Sequence, residues 1–91
     1  MAEAEHPSVN FSNFVVSLAS SAMHNLGEAP DPVSRGANVD LGLARHTIDV
    51  LGLLRDKTKG NLDQEEERLI ETLLFDLRTK YVEIVKSQQS T

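Results

Sequence analysis

Ser20, His24 and Glu28 recur every fourth residue, the spacing that aligns side chains along one face of an α-helix. Hydroxyl, imidazole and carboxylate in that order are the nucleophile, general base and orienting acid of acyl transfer. Two features oppose that chemistry. Gly27 should stop the helix before Glu28, and a mid-helix serine has neither a strained turn to expose it nor backbone donors for an oxyanion. His24 is better explained as a donor or cation near a helix C-terminus, where the dipole favours it.

His46 and Asp49, one helical turn apart, offer two metal ligands, but two ligands make no closed site and the other histidines do not join them at a recognisable spacing. Arg45 beside them marks an ordinary charged helix surface. Arg55, Lys57 and Lys59 form a basic cluster without an accompanying aromatic residue, and their place at a helix end is explained by the negative end of its dipole. Glu65, Glu66 and Glu67 read as a dipole-compensating first turn before they read as cation ligands. With no Gly-rich phosphate loop, no paired catalytic histidines and no H-E-x-x-H, no catalytic residue, metal site or cofactor is expected, and the chain is not expected to be an enzyme.

The 91 residues suit one small domain with a modest core. Hydrophobic residues at 40% and charged residues at 25% are ordinary for a chain that folds. A net charge of -5 disfavours partners held through their phosphates, whether nucleic acid or an anionic membrane surface. The absence of cysteine removes disulfides and thiol chemistry and suits a reducing compartment. The start, MAEAEHPS, is acidic and lacks the apolar stretch of a signal peptide, so a cytoplasmic location is expected.

Periodicity and punctuation predict an all-α fold of three helices. The first runs from about Phe11 to Leu26, with Phe11, Phe14, Val15, Leu18, Ala22 and Leu26 at helical spacing, Asn10 or Ser12 as its cap and Gly27 as its stop. Pro30 and Pro32 lie in a non-helical connector over Gly27 to Val39. Asn38 or Asp40 caps a second helix to about Thr58, with Leu41, Ala44, Ile48, Leu51 and Leu54 on one face and Gly60 at its close. Gly42 and Gly52 inside it each cost about 1 kcal/mol relative to alanine, which points to packing or close approach to a neighbour.

Asp63 caps the third helix, with Glu66 three residues on, and Leu69, Ile70, Leu73, Leu74, Leu77, Tyr81, Ile84 and Val85 carry it to about Lys86. The short link between helices two and three predicts an antiparallel hairpin, with helix one packed across it or in a dimer interface. Residues 1–9 and 87–91 read as flexible tails of a single domain.

No Asp, Glu, Lys or Arg occurs from Val9 to Gly27. A helix outside a small bundle normally carries a charged outer face, so this one suggests contact on several sides, and Ala19, Ser20, Ser21 and Ala22 would permit close approach. The alternative is a solvated face of Asn13, Ser17, Ser20 and Asn25. Burial is the preferred reading, and with the wide apolar stripe of helix three it makes a homodimer the default expectation. The segment is too short and too rich in Ser and Asn to span a membrane.

Three blocks, FSNFVVSLASSAMHNLGEAPDP at Phe11 to Pro32, TIDVLGLLRDKTKGNL at Thr47 to Leu62 and LLFDLRTKYVE at Leu73 to Glu83, together resemble a bacterial family catalogued as domain of unknown function 1844. The resemblance covers nearly the whole chain apart from its tails and carries no activity. It implies a stand-alone bacterial protein and draws attention to the turn residues Leu26 to Pro32 and Lys57 to Leu62. Glycine stops, proline-fixed turns and caps explain much of both blocks. They leave Glu28, Asp31, Lys57 and Lys59 for an interaction surface.

The expected function is a homo-oligomeric protein-interaction or regulatory module, with a second copy and another protein as partners. Its candidate surface is Phe11, Phe14, Leu18, Ala22, Glu28, Asp31, Lys57 and Lys59. The alternative is a small-ligand-binding domain, with Asn13, Ser17, His24 and His46 converging between helices one and two.

Overall fold

Each helix begins where the sequence supplies an acceptor for its unpaired first-turn N–H groups. The computed structural model describes residues 9–27 and 39–89, which form α1 Phe11–Asn25, α2 Leu41–Lys57 and α3 Gln64–Gln89, with no strand among them. Asn10 Oδ1 accepts from the Asn13 N–H at 2.8 Å, and Asp40 Oδ1 accepts from the Leu43 N–H at 3.0 Å. At α3 the exchange is reciprocal. The Glu66 N–H donates to Asp63 Oδ1 at 2.8 Å, while the Asp63 N–H donates to Glu66 Oε1 at 3.0 Å, completing a capping box.

A left-handed glycine follows each of the first two helices: Gly27 directly after the α1 cap Leu26, and Gly60 in the turn after the α2 cap Thr58. Gly27 and Gly60 adopt φ values of 86° and 88°, in the left-handed region that favours glycine. At the end of α2 the Thr58 hydroxyl donates to the Leu54 carbonyl at 2.6 Å, which satisfies one of the terminal acceptors. α3 runs past the expected end at Lys86 to Gln89, because no glycine or proline follows Lys86 to stop it. Its 26 residues span about 39 Å.

Helices α2 and α3 form the antiparallel hairpin that their short link requires. Arg55 near the end of α2 reaches Glu71 in the first half of α3 at 3.4 Å, Gly52 lies against Arg78, and Ile48 shares a concavity with Tyr81 and Val82. Residue numbers rise along one helix as they fall along the other. α1 packs on both partners and is tied to the start of α2 by the Asp40 N–H, which donates to the Asn25 carbonyl at 2.7 Å.

The core is built from Val15, Ala19, Ala22 and Leu26 of the first segment, Ala44, Ile48 and Leu51 of α2, and Ile70, Leu74 and Leu77 of α3. Each fully buried Leu, Ile or Val there stabilises the fold by about 1.5–3 kcal/mol. For α2 the buried face is the expected one. For α1 it is rotated. Phe14, expected on the apolar face, is 51% exposed, and Ala19 takes the inner line at i, i+4, i+7 and i+11 from Val15. Two alanines on that line let α1 approach its neighbours closely, and an aromatic ring there would hold the helices apart. Among the described residues Thr47 is the one buried polar side chain, and its hydroxyl donates to the Leu43 carbonyl at 3.1 Å. No helix among those residues is long and apolar enough to cross a membrane.

Candidate interaction surfaces

The candidate surface residues fall into different environments. Ala22 is fully buried in the core, and Phe11 and Leu18 are half-buried against it. Phe14 faces outward, as do Lys57 and Lys59. Glu28 and Asp31 lie outside the described residues. The two turn blocks that frame α2 stand at opposite ends of it, because Asn25 is bonded to Asp40 at one end and Lys57 closes the other. The 17 residues between them separate those ends by about 26 Å. Leu26 and Gly27 therefore share no contiguous patch with Lys57 and Lys59.

The outer side of α1 exposes Asn13, Ser17, Ser20 and Ser21 together with Phe14 and Val16. In the single chain this is the solvated, uncharged face weighed as the alternative to burial.

Between α1 and α2 an open groove of about 520 Å³ is lined by Leu18, Ser20, Ser21, His24, Asn25, Leu43 and Thr47. It brings Ser20 and His24 to one wall. Asn13, Ser17 and His46, expected to converge with His24, do not line it. The Thr47 hydroxyl is already committed to a backbone carbonyl. Among the described residues no three His, Asp or Glu side chains are grouped to hold a metal ion.

Arg55 is drawn out of the basic cluster by two carboxylates. Its Nε donates to Asp56 at 3.1 Å and its Nη1 to Glu71 at 3.4 Å. The hydrogen bond to Asp56, with the charges of Asp56 and Glu71, raises the guanidinium above its ordinary pKa against a smaller opposing effect of burial. With Glu67 and Glu71 lining the same small cavity as Arg55 and Lys59, this end of the molecule is of mixed sign. It is a weak match for a polyanion.

The wide apolar stripe of α3 led sequence reasoning to expect a second contact surface on this helix, but not that Phe75 and Val82 are its exposed apolar residues. A shallow concavity of about 610 Å³ runs along the outer face of α3, lined by Glu71, Leu74, Phe75, Arg78, Thr79, Val82, Glu83 and Lys86. Phe75 is 70% exposed and Val82 48% exposed. The signal was present: Phe75 and Val82 lie one heptad apart and off the stripe that fills the core.

The model of the family described as domain of unknown function DUF1844 matches residues 8–83. That span takes in α1, α2 and all but the last turns of α3. No curated protein and no solved structure matches the chain.

Proposed function

The chain belongs to the DUF1844 family, and from that premise we propose that it is a cytoplasmic, homo-oligomeric protein-interaction or regulatory module without catalytic activity of its own. The observation that carries this reading is the distribution of large apolar side chains left outside a filled core. Phe14 and Val16 on α1, Leu43 and Leu53 on α2, and Phe75 and Val82 on α3 are each at least 44% exposed. Single exposed apolar residues are ordinary, but a pair aligned along one helix face is what a contact surface requires. A chain of this size gains most from covering such a face with a second copy, since cyclic dimers are the commonest closed assemblies.

Solution mass measured by light scattering across a hundredfold concentration range tests self-association. A dimer or larger species at tens of micromolar supports it, and a clean monomer throughout sinks it. The interaction role is tested by affinity capture of the intact protein, in which a reproducible second protein is expected.

The groove between α1 and α2 favours a second reading, a small polar ligand bound by Ser20, Ser21, His24 and Asn25. A thermal-shift screen across metabolites tests it, since a ligand at 100 times its Kd stabilises by about 2.7 kcal/mol. A screen without any shift would remove that reading.

A further inference from the structure

We propose that the outer face of α3 is the surface on which two copies of this chain pair, antiparallel, about a two-fold axis passing between Arg78 and Thr79. The proposal rests on the self-association inferred above and assigns it a place and an orientation.

The pattern on α3 is self-complementary. Residues advance by about 100° each around a helix, so Phe75 and Val82 lie within about 20° of one another, on the side turned away from the buried Ile70 and Leu77. Reversing α3 about the point between Arg78 and Thr79 places Phe75 opposite Val82 of a second copy, and Val82 opposite its Phe75. The same operation sets Glu71 opposite Lys86. Two apolar contacts at the centre are thus flanked by two pairs of opposite charge. A parallel pairing in register would instead oppose Glu71 to Glu71 and Lys86 to Lys86, a like-charge arrangement that disfavours it.

The centre of the face tolerates the axis. Arg78 would meet its own symmetry mate there, but its guanidinium lies over Gly52 and lines the cavity that also holds Asp49, so it is directed toward α2. Thr79, exposed and uncharged, stands on the other side of the axis. Glu71 keeps its contact with Arg55 at 3.4 Å and has a second carboxylate oxygen for a partner cation.

The absence of cysteine from the chain makes the test direct. Thr79→Cys places the two thiols beside the axis and is expected to give a disulfide-linked dimer on mild oxidation, since such bonds need Cα atoms about 4.4–6.8 Å apart. Arg68→Cys places them about 31 Å apart in the antiparallel pair, so it is expected to stay unlinked. Glu71→Lys and Lys86→Glu are each expected to raise the dimer dissociation constant on the order of tenfold, and the double variant to restore it. A wild-type chain that is monomeric at tens of micromolar overturns self-association itself. A wild-type dimer in which Arg68→Cys links and Thr79→Cys does not, or in which the double charge exchange fails to restore affinity, overturns this face and orientation alone.

Discussion

The guanidinium of Arg78 lies against Gly52, with Nη2 only 3.0 Å from where a β-carbon on Gly52 would stand. The absence of a side chain at Gly52 lets the long α3 residue cross the back of α2, which is the close approach that a glycine inside a helix signals. The blocking atom is the end of a flexible side chain, so a methyl group would displace it at little cost. Gly52→Ala is therefore expected to stabilise the fold by about 0.5–1 kcal/mol through helix propensity. Gly52→Leu is expected to cost about 1–3 kcal/mol by overpacking a buried site. Urea midpoints measured with and without Arg78→Ala check the assignment, because the leucine penalty should shrink when Arg78 is truncated.

Gly60 and Gly42 should respond with opposite signs. Nothing lies within 4 Å of a β-carbon on Gly60, but its φ of 88° is left-handed, so Gly60→Ala is expected to cost about 1–2 kcal/mol from backbone strain alone. At Gly42 the nearest obstacle is Asp40 Oδ1 at an ordinary 3.7 Å and the backbone is helical. Gly42→Ala should gain up to about 1 kcal/mol. Thermal unfolding of the two variants side by side separates conformation from contact, and a destabilised Gly42→Ala would contradict this account.

The capping box of α3 is expected to be worth more than either of its bonds alone suggests, since it begins the helix that supplies Ile70, Leu74 and Leu77 to the core. Asp63→Ala should cost about 1 kcal/mol, within the range of about 0.5–2 kcal/mol for lost caps. Asp63→Asn keeps an acceptor oxygen for the Glu66 N–H and should cost much less. Equal losses in the two variants, read from denaturant midpoints, would mean that charge rather than the hydrogen bond carries the effect.

The three helix starts and the close of the first two helices were legible because their chemistry is local. An Asp or Asn oxygen three residues before an N–H, or a glycine at positive φ, needs no tertiary partner to do its work, and Asn10, Asp40, Asp63, Gly27 and Gly60 all act as their types predict. The inner face of α2 was equally plain, because Arg45, His46, Asp49 and Asp56 mark its outer side. α1 has no charge to mark an outside, and its register is decided by the small size of Ala19 and Ala22 where three helices meet. α3 hid its exposed pair Phe75 and Val82 for the opposite reason. Apolar residues at both Leu69/Leu73 and Ile70/Leu74 made one broad stripe, which drew attention from Phe75 and Val82 beyond its edge. Of the surface residues singled out from sequence, Phe14, Lys57 and Lys59 are exposed, while Ala22 shows that helical spacing alone does not separate core from contact.

That separation can be made by experiment on α1. Ala22 has no exposed surface, so Ala22→Leu forces three extra carbons into the junction of α1 with its neighbours and should cost about 1–3 kcal/mol. Phe14→Ser, at a side chain 51% exposed, should change stability by about 1 kcal/mol or less. With the dimer formed through α3, Phe14→Ser should also leave the solution mass unchanged, whereas Phe75→Ser should lower it without unfolding the chain. Circular dichroism with light scattering on the same samples reads both quantities. A folded Phe14→Ser that becomes monomeric would place the self-contact on the uncharged helix instead.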